Sequence, residues 1–250
     1  MPNLIQITDT HLFSYEAGAL YGVNTRHSLQ AVLDDIRARD LPMDAVLVTG
    51  DCVHDEGEAA YRLLGEMVAG LGVPAHYLPG NHDRADVLQA CLVNAPVDGI
   101  HHFLLQSWMI VMLDSAVPGK VEGQVASATL VKLKALLEQH PDRPVLVAVH
   151  HHPVKVNSPW MDRIGMTNGD ELMRLLSGFA HVRLLINGHI HQPLAAEVAH
   201  VQVLGTPSTC FQFMPGMQKA GIDDAPPAYR YLQLHSDGSF ATQLYSLGHD

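Results

Sequence analysis

Five short apolar runs in this chain each end in a cluster of acids, amides or imidazoles, and this repetition constrains the fold more than any other feature. The clusters are Asp9-Thr10-His11, Gly50-Asp51, Gly80-Asn81-His82-Asp83, His150-His151-His152-Pro153 and Gly188-His189-Ile190-His191. The runs before them, residues 4–8, 45–49, 75–79, 145–149 and 182–186, read as buried strands. Open α/β sheets hold ligands beyond the carboxyl ends of their strands. If these strands share a sheet system, the clusters converge on one edge.

Between the strands the periodicity turns helical. Leu29, Val32, Leu33 and Ile36 follow i, i+3, i+4, i+7 spacing, and Tyr61, Leu64, Val68 and Leu71 mark a second helix. Residues 84–91 read as a short helix, 102–106 and 108–113 as a hairpin, and Leu130, Leu133 and Leu137 as another helix. A helix over 171–176 follows, and the last fifty residues are β-rich, with strands at 200–204, 229–234 and 240–245. Alternation first and strands last predict an α/β layered protein with mixed sheets. The whole chain, 1–250, is expected to form one domain. Loops at 14–24, 153–170 and 215–227 are the candidate walls of a pocket.

The chemistry of the clusters is that of metal ligands. Histidine is the commonest protein metal ligand, and the chain has 17. Oxygen and imidazole donors suit Zn, Mn or Fe. The three cysteines, Cys52, Cys91 and Cys210, form no C-x-x-C pair, which argues against a disulfide framework or a thiolate site. The net charge of −11, without a Lys/Arg-rich run, argues against a protein that wraps nucleic acid. A small anionic substrate stays compatible, because bound ions supply positive charge that the formal count omits. The first residues show no signal-peptide pattern, and no apolar run approaches the roughly 18 residues of a membrane span. A soluble, cytoplasmic monomer or homodimer with no membrane partner is expected.

Spacing within the clusters adds to this. In D-x-H and H-x-H, extended backbone would send side chains i and i+2 to one side, so each pair is expected to grip one ion or straddle two. Gly50, Gly80 and Gly188 permit tight turns or close backbone approach. A lone D-x-H or G-D is a weak signal, and Gly80-Asn81 alone reads as a simple turn. All five in this order are hard to explain as turns and core residues.

The order D-x-H, G-D, G-N-H-D, H, G-H-x-H resembles that of the calcineurin-like metallophosphoesterase superfamily, with no motif missing between Asp9 and His191. The resemblance implies a four-layer α-β-β-α sandwich of two mixed sheets. It puts Asp9, His11 and His191 on one metal ion, Asn81, His150 and His189 on a second, and Asp51 between them. Such ions lie about 3.5–4 Å apart. Of the three adjacent histidines, His150 is the preferred ligand because it directly follows the strand; His152 has the same facing and can instead contact phosphate, and His151 is expected at the surface or behind the ligands.

Further stretches narrow the resemblance. Thr8-Asp9-Thr10-His11-Leu12-Phe13, Gly22-Val23-Asn24-Thr25, His150-His151-His152-Pro153, Gly188-His189-Ile190-His191-Gln192 and above all Thr206-Pro207-Ser208-Thr209-Cys210-Phe211-Gln212-Phe213 are similar to the class III cyclic-nucleotide phosphodiesterases of bacteria. That implies hydrolysis of 3′,5′-cyclic AMP to 5′-AMP. Two ions would lower the pKa of a bridging water, and the resulting hydroxide would attack phosphorus in line. His82 is expected to reach the phosphate or the leaving 3′-oxygen, with Asp83 orienting its ring. Substrate contacts are expected from His11, Asp51, Asn81, His82, His152 and Trp160, the last following Pro159 in a polar loop. Tyr21, Phe211 and Phe213 are further candidates for stacking on a base. Two M²⁺ ions, two carboxylates and a hydroxide sum to about +1, a match for a monoanionic diester. Two other readings share the ligand set: a broad phosphodiesterase for glycerophosphodiesters or 2′,3′-cyclic nucleotides, and a catalytically silent metal-binding scaffold.

Overall fold

The computed structural model describes residues 1–248 of the chain. The elements run β1 (Asn3–Ile7), β2 (Ala19–Leu20), β3 (Val23–Asn24), α1 (Thr25–Ala38), β4 (Ala45–Thr49), α2 (Glu58–Ala69), β5 (Ala75–Leu78) and α3 (Ala85–Cys91). They continue with β6 (Ile100–Leu105), β7 (Trp108–Leu113), α4 (Ser127–Gln139), β8 (Val145–Val149), α5 (Gly169–Ser177) and β9 (Val182–Asn187). The chain closes with β10 (Leu194–Val198), β11 (Val201–Gly205), β12 (Gln212–Phe213), β13 (Ile222–Asp223), β14 (Ala228–Leu234) and β15 (Phe240–Ser246).

Two mixed sheets form, in the orders β15-β14-β1-β4-β5 and β10-β11-β9-β8-β7-β6. In the first, β1, β4 and β5 are parallel and β14 and β15 antiparallel. In the second, β7, β8, β9 and β11 are parallel, and β6 and β10 close the edges antiparallel. The layering follows from side-chain alternation along each strand. Leu4 of β1, Ala45 and Leu47 of β4, Trp108 and Ile110 of β7, and Leu146 and Ala148 of β8 form one cluster between the sheets. Their neighbours face outward. Ile5, Ile7, Val46 and Val48 pack under α1, α2 and α3, whereas Met109, Val111, Val145 and Val147 pack under α4 and α5. Both sheets are thus covered on both faces, as their nearly continuous apolar strands require. The architecture is the expected α-β-β-α sandwich.

Strands β4 and β8 fall where the apolar runs place them. Strand β10 is the main departure, since the sequence gives no signal for it. Its residues, Leu-Ala-Ala-Glu-Val, are weak strand formers, and the antiparallel partner β11, in register from Leu194↔Gly205 to Val198↔Val201, makes the strand. The loop at 14–24 contains the β2–β3 ribbon, ending in Asn24, whose side chain caps α1 by accepting from the His27 N–H at 2.9 Å. Cys52, Cys91 and Cys210 are all free. No helix among the described residues is long and apolar enough to cross a membrane.

Candidate metal centre

The five clusters follow β1, β4, β5, β8 and β9, so they meet where parallel strands of both sheets end. Past β1 the backbone stays beside that past β4: Asp9 N–H donates to Gly50 O at 3.0 Å and His11 N–H to Asp51 O at 2.9 Å. Close approach then depends on Gly80, where a Cβ would run into the Asp51 carboxylate. The donor atoms of Asp9, His11 and His191 lie within 4.8 Å of one another, as do those of Asp9, Asp51 and His150. His150 and His189 have ring centroids 5.1 Å apart.

The backbone here departs from the extended geometry expected of D-x-H and H-x-H. Asp9 (φ 54°), His11 (φ 43°), Asp51 (φ 46°), His189 (φ 68°) and His191 (φ 48°) are all left-handed. The side chains converge because each pair is kinked at both members. Such conformations cost about 1–3 kcal/mol each and persist only where the surroundings impose them. Here neighbouring backbone does so. His189 N–H donates to both oxygens of Asp9 at 3.2 and 3.1 Å, and His82 N–H to Asp51 Oδ1 at 2.9 Å.

Hydrogen bonds to carbonyls decide which nitrogen of each ring faces inward. His150 Nδ1–H donates to Thr49 O at 2.8 Å, His191 Nδ1–H to Phe211 O at 2.7 Å and His189 Nε2–H to Ile164 O at 3.0 Å. A carbonyl only accepts, so the opposite nitrogen of each neutral ring presents a lone pair. Those lone pairs meet other acceptors. His191 Nε2 is 3.2 Å from Asp9 Oδ1 and 3.3 Å from His11 Nε2, and His150 Nε2 is 3.4 Å from Asp51 Oδ2. Asn81 Oδ1 is buried with no hydrogen-bond partner. Acceptors crowded on acceptors fit cations between them. In the metal-free protein a proton takes part of that role. Burial opposes a charge on His150, but the Asp51 carboxylate outweighs it and raises the pKa to about 9. Burial holds His11 down to about 3.

The centre forms the floor of a cavity of about 420 Å³. His11, Asp51, Asn81, His82, His189 and His191 line its base. Tyr21, Trp160, Phe211 and Phe213 line its side, with Trp160 edge-on to Phe213 at 4.9 Å and Tyr21 edge-on to Phe211 at 4.7 Å. Segment 206–210 ties this wall to the floor. Ser208 Oγ–H donates to Asp9 O at 2.8 Å and Thr209 N–H to Thr8 O at 3.1 Å, and the next residue is Phe211, which orients His191.

Two expectations change. Asp83 does not orient His82. Its carboxylate accepts from the N–H groups of Cys52 (2.9 Å), Val53 (3.1 Å) and Gly80 (2.8 Å) and from Tyr61 O–H (3.1 Å), clamping the Asp51 and Asn81 loops together. His152 does not reach the cavity floor. It is buried behind His189, rings stacked at 5.6 Å, and lines a separate cavity with Gly165 and Met166. Of the two places expected for His151, it takes the one behind the ligands: it is buried against His150 and His189, with Nδ1 2.8 Å from Ser115 Oγ and Nε2 donating to Val121 O at 3.1 Å. The sequence reading also missed Thr49, Ile164 and Ser208, which act through backbone or a short hydroxyl, and His54, which lies outside the motifs and lines the cavity.

Fold and site together define a metal-dependent phosphoesterase. The family model for calcineurin-like phosphoesterases matches residues 2–193, and the chain belongs to that family, whose dinuclear centre corresponds to the His/Asp clusters found here. Among curated proteins it is 39% identical over 242 residues to the 3′,5′-cyclic adenosine monophosphate phosphodiesterase CpdA of Haemophilus influenzae, covering 96% of this chain and 88% of the relative. It is 38% identical to CpdA of Escherichia coli over 245 residues, with 98% and 89% covered. The Pseudomonas aeruginosa CpdA is 35% identical, with 96% and 88% covered. Among solved structures, a dimetal phosphatase from Danio rerio superposes with a TM-score of 0.69 at 16% identity, covering 94% of this chain and 93% of the other. That likeness concerns the fold.

Proposed function

We propose that the chain hydrolyses 3′,5′-cyclic AMP to 5′-AMP. The carrying observation is the cavity itself, in which a floor of metal-ligand chemistry meets a wall of four aromatic rings. A phosphodiester attached to a flat base needs both. The CpdA relatives, similar over nearly the full chain, support this substrate.

In this reading Asp9, His11 and His191 would hold one ion and Asn81, His150 and His189 the other, with Asp51 available to both; Fe, Mn or Zn would suit these donors. The ions, when bound, supply an activated water nucleophile and offset charge on the phosphoryl oxygens. The chain's own residues do the rest. Thr49, Ile164 and Phe211 carbonyls hold three imidazoles in the tautomers that leave a lone pair for the ion. Trp160, Phe211 and Phe213 stack on or flank the base and keep water from that side. His82 has no hydrogen bond to its ring from a described residue and faces the cavity, so it is placed to donate a proton to the leaving 3′-oxygen. His82→Ala should keep its metal and lose about a hundredfold or more in kcat. Retention of kcat within about threefold would remove His82 from the reaction.

A second reading rests on the space beyond His82. A cavity of about 560 Å³, lined in part by Arg84, Asp114 and Lys120, shares Asn81 and His82 with the first. Room on both sides of the phosphoryl position favours a broad phosphodiesterase that accepts a second ester arm. Comparing kcat/KM for 3′,5′-cyclic AMP, a 2′,3′-cyclic nucleotide and glycerophosphocholine separates the two readings.

A further inference from the structure

We propose that His54 is a second imidazole at the phosphoryl position, donating a hydrogen bond to a substrate oxygen beside His82; this rests on the phosphoesterase reading but not on the identity of the base. Residue 54 is held by the same backbone that builds the floor. His54 N–H donates to Leu12 O at 2.9 Å, next to the parallel bridge between Leu12 and Val53. Its ring packs against Phe13 at 5.0 Å, stacks on His82 at 5.0 Å with 28° between planes, and meets His11 edge-on at 5.6 Å. One of its ring nitrogens lies within 4.8 Å of ring nitrogens of both His11 and His82. The ring lines the 420 Å³ cavity.

A histidine that merely fills space has its nitrogens satisfied by protein or water. His54 Nδ1 is buried and has no partner. The acid nearest in sequence, Asp55, is already engaged, accepting from the Ser14 N–H at 2.7 Å and from the Ser14 hydroxyl. The ring's other nitrogen, Nε2, has no hydrogen-bond partner among the described residues and is not buried, so it is the nitrogen open to an oxygen in the cavity. A cation shared by His11, His54 and His82 fits poorly, because His11 already turns Nε2 toward His191 (3.3 Å) and Asp51 (3.7 Å). An acceptor oxygen fits well. The His54 ring stacks on that of His82 and both line the cavity, so two imidazole donors can reach neighbouring oxygens of one phosphoryl group.

The test uses the metal-loaded enzyme and inorganic phosphate, with affinity read by calorimetry. His54→Ala should weaken phosphate binding by about tenfold or more, the scale of one lost hydrogen bond to a charged group. His54→Gln, which restores an N–H donor, should recover affinity to within about threefold of the wild type. His54→Phe keeps the ring stack on His82 without a donor and should match His54→Ala. Metal content by elemental analysis and Tm should be unchanged in all three. Phosphate affinity within about twofold of wild type in His54→Ala and His54→Phe overturns the proposal, and so does rescue by Phe but not by Gln. Failure of the enzyme to turn over cyclic AMP would sink the substrate reading alone, since phosphate affinity does not depend on the base.

Discussion

The floor and the wall of the cavity are built from different kinds of segment. The floor comes from five strand ends, with most of its donors buried and Asp9, His11, Asp51, His189 and His191 held in left-handed conformations. The wall comes from the connecting segments: Tyr21 from the turn of the β2–β3 ribbon, Trp160 from 153–170, Phe211 from the stretch after β11 and Phe213 from the short strand β12. Tyr21 is 66% exposed, whereas Asp9 is 0% exposed. The contrast shows how one fold serves many substrates. Strand ends of two packed sheets fix the reaction centre rigidly, and loops are free to choose what is bound there.

The largest effect should come from breaking the floor. Asp51→Asn removes the carboxylate both ions would share, and should cost about a thousandfold or more in kcat with loss of bound metal. Elemental analysis beside turnover checks it, and full metal content would contradict the sharing role. The His82→Ala experiment comes next, acting on proton donation while leaving the floor intact. Asp83→Asn sharpens the boundary between the two. Because Asp83 clamps loops rather than a ring, the substitution should cost roughly 2 kcal/mol of stability, seen in denaturant unfolding. A fall in kcat at unchanged stability would instead restore the orienting role. In the wall, Trp160→Ala should raise KM for cyclic AMP by about tenfold and leave kcat/KM for glycerophosphocholine nearly unchanged. Equal losses on both would show that the wall supports the floor.

The last prediction concerns the pH dependence of stability, measured on chelated protein. Burial lowers His151 to about 3 and His152 to about 4, below the value of 6.5 they take when unfolded. Below pH 6.5 the unfolded chain therefore takes up protons that the native state refuses, and stability falls by about 1.4 kcal/mol per pH unit for each. His150 works the other way. Its pKa is raised to about 9, so its contribution is complete below pH 6.5 and lost as pH rises through 9. The metal-free protein should thus have its highest Tm near pH 6.5 and melt earlier on either side. A Tm that climbs steadily from acid to alkali would contradict this, and calorimetry across the range decides.

Much of the fold was legible because apolar runs and helical spacing are local properties. Strands such as β4 and β8 need nothing else to be found, and the clusters following them show the donor types directly. Strand β10 was illegible, because pairing with β11 rather than composition makes it a strand. His150, His151 and His152 could be ranked by distance from the strand end, but not assigned their surroundings.

The sequence by itself determined the layered α/β architecture, the kinds of metal donor, their order along the chain and the loops fit to wall a pocket. Only the tertiary structure decided which ring nitrogen faces inward, that Asp83 clamps backbone, that His152 lies behind His189, and that His54 meets His82. The physical reason is separation along the chain. His189 reaches Asp9 across 180 residues and Asp83 reaches Cys52 across 31. Such contacts are fixed by how two sheets pack and how their ends are kinked, and side-chain alternation along a single strand carries no information about either.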